Sequence, residues 1–363
     1  MPIALLIGKH PISETDMPEI HHYAVPSGLW RTARRCFSGL LCAFAIGCAA
    51  AESDSVPTLR VGVLKFGTVN WSLDTLQAHG LPQKYHFNLQ VVPLASADAG
   101  TVALQGGAVD VIVSDWLWVN RQRSQGIPVA FVPYSNAIGT VLVRDGSPIR
   151  EVADLKGHTI GIGGGPSDKT WLLLRAYAMK KSGLDLNSQA KPVYAAPPML
   201  NGLALAGQVD AALNPWQFDA RLENHGMHPL ISLAEILAGL GIDRPIPLIG
   251  WVFHSDWAAQ NTRLLQDFLS AIAEANSILA QQDPEWERLR SLMKAEDPAT
   301  FLALRSGYRK GIPQCTEPDY VSNVTKALHW LSEMGGEKWA GANAPLNDGT
   351  FWAGYRLPTC GKK

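Results

Sequence analysis

The chain has 363 residues, of which 47% are hydrophobic and 17% are charged, and its formal net charge is −1. This balance excludes an intrinsically disordered chain, which needs few apolar residues and a high net charge, and the length suits two or three average domains. The near-neutral charge, with no Lys/Arg run after residue 35, argues against a nucleic-acid-binding protein.

The N-terminal segment has the layout of a secretory signal peptide. Arg31, Arg34 and Arg35 form a positive region, the apolar stretch FSGLLCAFAIG follows, and the small residues CAAA come next. The apolar stretch is too short for a membrane-spanning helix. We therefore expect residues 1–51 to be a leader that is cleaved off, and the mature chain to work in the periplasm.

Several features of this leader stay open. The segment RRCF at 34–37 is similar to a twin-arginine core, so that export route competes with ordinary Sec export. The segment AIGC at 45–48 is loosely similar to a lipobox, which would place a lipid anchor on Cys48, although alanine stands where leucine is usual. The first 30 residues are long and polar for a leader, which favours a start at Met17.

Cysteine usage fits an exported chain. Cys36, Cys42 and Cys48 lie in or beside the leader, which leaves Cys315 and Cys360 in the mature chain. A pair in an oxidising compartment favours one disulfide, which would tie the C-terminal tail to the turn at Cys315. Two separate buried thiols are the alternative.

From residue 57 onward, strand patterns alternate with helical patterns. The predicted strands include TLRVGVLKF, FNLQVVPLA, VDVIVSD, PVAFVPYS, AIGTVLVRD, HTIGIGG, PVYAAP, VDAALN, HPLISL and IPLIGWVF. Helices are predicted near 72–79, 99–105 and 168–181, and apolar residues at helical spacing predict another from 264 to about 283. This alternation predicts an α/β fold with mostly parallel sheets.

An internal repeat at an offset of 100 residues indicates two similar units. GAVD at 107–110 and GQVD at 207–210 each follow a helical pattern and precede a short apolar strand, which ends in a polar residue and then Trp116 or Trp216. Ligands of open α/β sheets bind beyond the carboxyl ends of the strands. Two such units would place two strand edges face to face across a cleft.

Five segments between about residues 57 and 285 carry a family resemblance. They are TLRVGVLKFG, ALQGGAVDVIVSD, DLKGHTIGIGGGPSDKTW, LALAGQVDAALNPW and IPLIGWVF. Their combination resembles the substrate-binding proteins of nitrate/sulfonate/taurine-type ABC importers. The resemblance implies a two-lobed type II periplasmic binding fold, each lobe a mostly parallel sheet flanked by helices, with the ligand cleft between the lobes.

The resemblance also implies a division of the chain and a function. Lobe 1 would comprise 52–145 plus 248–345, lobe 2 would be the insert 146–247, and 346–363 would be a tail. The chain would capture a small organic solute, either sulfonate- or carboxylate-like or aromatic and heterocyclic, by hinge closure. It would act as a monomer, without a cofactor, and deliver the solute to ABC permease and ATPase subunits at the inner membrane.

The glycine loop before the helix at 168–181 is a candidate for solute binding. Glycines let backbone N–H groups approach a ligand, and a helix N-terminus favours an anion; in the similar family the matching loop binds an anionic head group. The candidate residues are Gly164, Gly165, Ser167, Lys169 and Thr170. The alternative is that Ser167 or Asp168 simply caps the helix, because Pro166 removes one donor and Asp168 adds a negative charge.

Tryptophans form the second group of candidates. Trp71, Trp116 and Trp216 follow predicted strands at the expected cleft edges, where they would stack a flat solute or cage a cation. Core packing is the alternative for each of them. Trp171 and Trp251 are expected in the core.

Polar residues at strand ends complete the candidate set. They are Asn70, Ser114, Asp115, Asn136 and Asn214. Each is equally a typical turn residue. If Asp115 lies in the pocket, it favours a cationic or hydrogen-bond-donating solute.

The sequence carries no motif of an enzyme or a metal site. The ten histidines have no metal-ligand spacing, and G-x-S-x-G, H-E-x-x-H and Cys-His patterns are missing. Enzymes of the related fold, such as the pyrimidine synthases of thiamine biosynthesis, have a reactive His/Cys cluster and no leader. A binding protein is therefore predicted, and a periplasmic accessory or sensor protein without a transport role is the alternative.

Overall fold

The structure is a computed structural model that describes residues 56–315, 320–336 and 345–357. The predicted leader, with the possible anchor at Cys48, lies outside the described residues, as does Cys360. Cys315 is disulfide-bonded. Its pairing with Cys360 stays a prediction. In the described part of the chain, no helix combines the length and the apolar character needed to cross a membrane.

Ten strands of the described residues form two five-stranded sheets. They are β1 (Thr58–Leu64), β2 (Asn88–Leu94), β3 (Val111–Ser114), β4 (Val129–Ser135), β5 (Thr140–Arg144), β6 (Thr159–Gly163), β7 (Lys191–Ala195), β8 (Ala211–Leu213), β9 (Met227–Ser232) and β10 (Ile249–His254). The first sheet has the order β2-β1-β3-β10-β4 and the second has the order β7-β6-β8-β5-β9. In each sheet, the first three strands in this order are parallel to one another. The fourth strand, β10 or β5, is antiparallel to the strand on either side of it. The predicted α/β architecture with two sheets is confirmed.

Helices flank both sheets. The helices of the described residues are α1 (Val69–Ala78), α2 (Leu81–Lys84), α3 (Ala97–Gln105), α4 (Trp116–Ser124), α5 (Lys169–Ser182), α6 (Leu186–Gln189), α7 (Pro197–Leu205), α8 (Trp216–Glu223), α9 (Leu233–Gly239), α10 (Ser255–Gln260), α11 (Thr262–Gln281), α12 (Asp283–Met293), α13 (Pro298–Gly311) and α14 (Tyr320–Gly335). Those predicted near 72–79, 99–105, 168–181 and 264–283 correspond to α1, α3, α5 and α11.

The repeat at an offset of 100 residues has the same structural role in both sheets. The carboxylate of Asp110 accepts from the backbone N–H of Arg60, and the Asp110 N–H donates back to Arg60, both at 2.8 Å. Asp210 and Thr159 form the same pair of bonds, again both at 2.8 Å. The preceding glycines have φ of 68° and 71°, which suits a left-handed turn after a helix. The repeat therefore sets β3 beside β1, and β8 beside β6.

The chain crosses between the sheets earlier than the sequence predicted. Strand β5 pairs with β8 and β9 of the second sheet, so the first crossover lies between Ser135 and Thr140. The predicted boundary at 145 falls after this strand. An apolar strand pattern does not show which sheet the strand joins, so the sequence could not place β5. We refer below to the parts built on the first and second sheets as the first and second lobe.

The C-terminal helices pack on both lobes, whereas the resemblance implied that 248–345 belong to lobe 1. Helix α13 packs against α8, and α14 packs against α5 of the second lobe. The segment 345–357 then covers the edge strand β4, where the Phe131 N–H donates to Thr350 at 2.8 Å. The Trp352 N–H donates to the Phe131 carbonyl at 2.9 Å. The described part of the tail therefore extends the first lobe.

Candidate functional site

The two lobes meet where α4 and α5 begin. Asp115 follows the carboxyl end of β3 in the first lobe, and Lys169 is the first residue of α5 in the second. The Lys169 ammonium donates to Asp115 Oδ2 at 2.9 Å. Two residues predicted from sequence to touch solute are thus brought together, and they bind each other across the lobes.

Both partners of this ion pair stay charged at neutral pH. Burial favours the neutral form of Asp115, but the Lys169 ammonium and the Trp118 N–H outweigh it and lower the pKa of the carboxyl. Burial likewise opposes the charge on Lys169, but Asp115 outweighs it and raises the pKa of the ammonium. The exposed fractions are 27% for the Lys169 side chain and 22% for that of Asp115. This shielding from water strengthens the attraction.

The glycine loop does not leave the start of α5 free for an anion. Asp168 caps the helix, because its Oδ1 accepts from the Trp171 N–H at 2.9 Å. Burial raises the pKa of this carboxyl. The expected anion site at the helix N-terminus is therefore partly occupied by the chain's own carboxyl group, as the capping alternative predicted.

The other residues of the glycine loop lie around this cap. Gly164 and Ser167 are exposed, and Gly165 and Thr170 are partly buried. Within the ranges that the structure describes, the hydroxyl groups of Ser167 and Thr170 form no hydrogen bond. Their predicted contact with solute stays a prediction.

Trp71 and Trp216, two of the three tryptophans predicted at cleft edges, contact each other across the lobes, whereas the repeat pairs Trp216 with Trp116. Their ring centroids are 6.1 Å apart in an edge-to-face arrangement. Trp286 and Tyr308 complete the cluster, with centroids 5.8 and 5.5 Å from Trp71. A Cβ added to Gly307 would lie 2.7 Å from the Trp216 ring, so this glycine lets α13 approach the indole. The rings pack against one another and close this part of the interface.

Trp116 is not at an open cleft edge. It is 0% exposed within a hydrophobic cluster that also contains Trp171, which confirms the expected core position of the latter. Trp251 is also in the core, at 1% exposure. The indole N–H groups of Trp116 and Trp171 are buried without a partner among the described residues. Leaving a buried donor unpaired costs about 1–3 kcal/mol. In the sequence, Trp116 directly follows Asp115, and Trp171 comes two residues after Lys169.

Two of the four other polar candidates, Asn70 and Asn214, have structural roles. Asn70 holds the turn after β1, because its Nδ2 donates to the carbonyls of Leu64 at 2.9 Å and Gly67 at 2.8 Å. Asn136 lies within the first crossover, where its backbone N–H donates to Gly311 at 2.8 Å. The predicted contact of its side chain with solute stays a prediction.

Asn214 is buried and donates from its Nδ2 to Asn201 Oδ1 at 2.8 Å. Its own Oδ1 has no partner within the described part of the chain. Ser114 is half-buried at the end of β3, and its predicted contact with solute stays a prediction.

Asp219 is a residue of this region that the sequence did not single out. Its Oδ2 accepts from the Thr140 N–H at 2.7 Å, immediately after the first crossover. Burial raises the pKa of this carboxyl well above its ordinary value, and Oδ1 has no partner among the described residues. An acidic residue on an amphipathic helix usually faces solvent, so the sequence held no signal for its burial.

The residues described by the structure include no group of three or more His, Cys, Asp or Glu side chains placed to hold a metal ion. Where the lobes meet, the described residues form an aromatic cluster and an ion pair. Together they offer apolar rings, one cation and one carboxylate.

Comparisons with known proteins agree with this architecture. The family model described as NMT1/THI5 like matches residues 84–285. A putative aliphatic sulfonates-binding protein of Escherichia coli strain K12 is 26% identical over 240 residues, which cover 64% of this chain and 70% of the relative.

Solved structures show the same fold. The periplasmic aliphatic sulphonate binding protein of Escherichia coli matches with a TM-score of 0.64 and 19% identity, over 85% of this chain and 96% of that chain. The alkanesulfonate-binding protein of Xanthomonas axonopodis pv. citri, bound to MOPS, matches with a TM-score of 0.60 and 19% identity, over 81% and 98%. The family model covers more than half of the chain, and the two-lobed architecture agrees with that of the solved structures. The chain therefore belongs to the NMT1/THI5-like family.

Proposed function

We propose that this chain is the solute-binding component of an ABC importer, that it works in the periplasm, and that it traps a small organic solute between its lobes. The observation that carries the proposal is the interlobe contact of Asp115 with Lys169, since it joins the end of a strand in one lobe to the start of a helix in the other. The relatives described as sulfonate-binding proteins support the same role.

The geometry supports capture by a hinge. Two segments of chain connect the sheets, one between Ser135 and Thr140 and one between α9 and β10. Bending at these short connections would separate Lys169 from Asp115 and expose the edges of Trp71 and Trp216. Binding would then be non-covalent, with no turnover of the solute.

The charges at the interface define the solute that would fit. An anionic group would compete with Asp115 for the Lys169 ammonium. The names of the relatives make sulfonates the first class to test, followed by carboxylates. The carbon body of the solute would contact the Trp71 and Trp216 rings.

The first experiment is mass spectrometry of small molecules that co-purify with the protein expressed in a periplasm. A panel of sulfonates, carboxylates, pyrimidines and amines is then titrated while Trp fluorescence and melting temperature are followed. A solute of the proposed class should raise the melting temperature, and the rise should grow with the logarithm of its concentration above Kd. If neither experiment yields a solute, the importer proposal fails and an accessory or sensor role takes its place.

The same preparation tests export and assembly. We propose cleavage after Ala51, a Cys315–Cys360 disulfide and a monomer. The intact mass before and after reduction, together with the mass in solution, checks all three proposals. A retained leader, a mass unchanged by reduction and alkylation, or a dimer would contradict the corresponding one.

A further inference from the structure

The first lobe contains a cavity of about 660 Å³ that lies away from the interlobe ion pair. Its walls come from β4, β10, α11, the turn at 312–315, the start of α14 and the C-terminal segment 351–357. Asn136 of the first crossover and Pro245 and Pro247 of the second crossover also line it. Neither Asp115 nor Lys169 lines it. Its volume falls within the range of roughly 300–1,000 Å³ that is typical of small-molecule sites.

Small residues on α11 leave room for this cavity. Ala273, Ser277 and Ala280 line it, and their spacing of four and three places them on one helix face. The opposite wall is held in place by the C-terminal segment, whose backbone bonds to Phe131 on both sides of Phe351. The cavity is therefore framed by regular structure and by backbone hydrogen bonds.

Aromatic rings form a large part of the described lining. The lining rings are Phe131, Tyr134, Trp251, Tyr320, Phe351, Trp352 and Tyr355. Two pairs of them hold each other edge to face, Tyr134 with Trp251 and Tyr320 with Phe351, each with centroids 5.0 Å apart. Fixed rings of this kind suit a flat aromatic ligand, because they supply contact area without first having to be ordered.

A buried amide adds one polar group to this lining. Asn276 is 7% exposed, and its Oδ1 accepts from the Tyr308 hydroxyl at 3.1 Å. The amide nitrogen has no partner in the described part of the chain, and Asn276 lines the cavity. A ligand that presents an acceptor to the cavity can accept a hydrogen bond from this nitrogen.

Charge restricts the ligand further. Among the described residues that line the cavity, Arg356 is the one charged side chain, and it is exposed. The described lining, which has an arginine and an amide donor and includes no carboxylate, favours a neutral or negatively charged ligand over a cation. An aromatic carboxylate satisfies the rings, the amide and the arginine at once.

We infer that this cavity is a second binding site, independent of the cleft, for an aromatic carboxylate. The test is isothermal titration calorimetry of the whole mature protein with 2-naphthoate, and with the cation 2-naphthylmethylammonium as the matched probe. Naphthoate should bind with a stoichiometry near one, and the cation at least about tenfold more weakly. Absence of naphthoate binding, or equal binding of the two probes, would overturn the inference.

Variants locate the bound probe. Ala280→Phe fills the cavity and should abolish naphthoate binding, and Ala273→Leu serves as a second filling variant if the first does not fold. Asn276→Asp keeps an acceptor for the Tyr308 hydroxyl but replaces the amide donor by a carboxylate, and should weaken binding at least about tenfold.

Trp216→Ala alters the cleft and none of the cavity residues, so it should leave naphthoate affinity unchanged. Loss of binding in Trp216→Ala, with binding retained in a folded cavity-filling variant, would place the probe in the cleft and refute the second site. The proposed importer role does not depend on this result, because its own test uses solutes of the cleft.

Discussion

The Lys169 ammonium lies 2.9 Å from the Asp115 carboxylate and links the second lobe to the first across 54 residues of sequence. Each side chain starts from a helix N-terminus in its own lobe. Opening the lobes separates the two charges and returns them to water. The ion pair is therefore a contact whose strength sets how readily the lobes close.

Removing one partner of this pair should destabilise the closed form more than removing both. Asp115→Asn or Lys169→Gln alone leaves a partly buried charge unpaired, at a cost of about 1–2 kcal/mol, between the values for exposed and fully buried pairs. The double variant should recover part of that loss. Thermal unfolding measures the stability, and small-angle scattering measures the lobe separation. Strictly additive losses in the double variant would show that the two residues do not interact.

A side chain at Gly307 should hinder the approach of α13 and Trp216. The added Cβ of Gly307→Ala would lie 2.7 Å from the indole ring, which forces one of them to move. The expected result is a lower melting temperature and altered Trp fluorescence, even though alanine favours a helix by roughly 0.5–1 kcal/mol.

The matched control for this variant is Gly202→Ala. Gly202 is an exposed helical glycine with no atom within 4 Å of an added Cβ. This substitution should therefore raise stability by roughly 0.5–1 kcal/mol. Equal stabilisation of both variants would contradict the close packing at Gly307.

Local patterns in the sequence predicted the sheets but not how they face each other. The sequence identified Asp110 and Asp210 because they belong to a motif that occurs twice. Each of them accepts a hydrogen bond from a strand of its own sheet, so its role is local. Alternation identified β5 as a strand. Its partners could not be identified, because an apolar strand pattern does not specify the lobe on which the strand packs.

In the candidate site, too, local sequence patterns predicted some features, whereas others depend on how the two lobes pack together. The repeat predicted that the Trp116 and Trp216 edges would face each other, but Trp116 is buried in the core, and the ring that faces Trp216 is Trp71, which lies outside the repeat. The sequence left two roles open for Asp168, either to cap the helix or to compete with a bound anion. The hydrogen bond from the Trp171 N–H to its carboxylate shows that it caps the helix. Asp115 was expected to touch solute, but its partner Lys169 depends on the lobe orientation, which is not a local property.

The buried carboxyl of Asp219 should make stability depend on pH. Burial raises its folded-state pKa above the unfolded value of about 4. Its contribution is therefore fully present below pH 4 and is lost as the pH rises through the folded pKa. Asp219→Asn keeps an oxygen to accept from the Thr140 N–H and removes the charge.

The Asp219→Asn variant should therefore be more stable than the parent at neutral pH, by about 1 kcal/mol, and the advantage should disappear towards pH 4. Urea unfolding at several pH values measures this difference. An advantage that is the same at every pH would refute the assignment to Asp219.

Glu285 should have the opposite pH dependence. Burial alone opposes its charge, but Arg288, Thr75 and His79 outweigh it and lower the pKa to about 2. Because the folded-state pKa is depressed, the stabilisation is present above the unfolded value of about 4.3 and is lost as the pH falls through about 2. The bond from Thr75 to the carboxylate, at 2.7 Å, joins α1 to α12, so the loss acts on the packing of the first lobe.

Glu285→Gln should cost about 2–3 kcal/mol at pH 7 and flatten the acid limb of the stability curve. Glu287→Gln is the control, since Glu287 is exposed on the same helix and pairs only with its neighbour Arg290 among the residues described. Urea unfolding from pH 7 to pH 2 measures both variants. If both lose the same stability at pH 7, the contribution of Glu285 does not arise from its buried network, because the exposed residue lacks one.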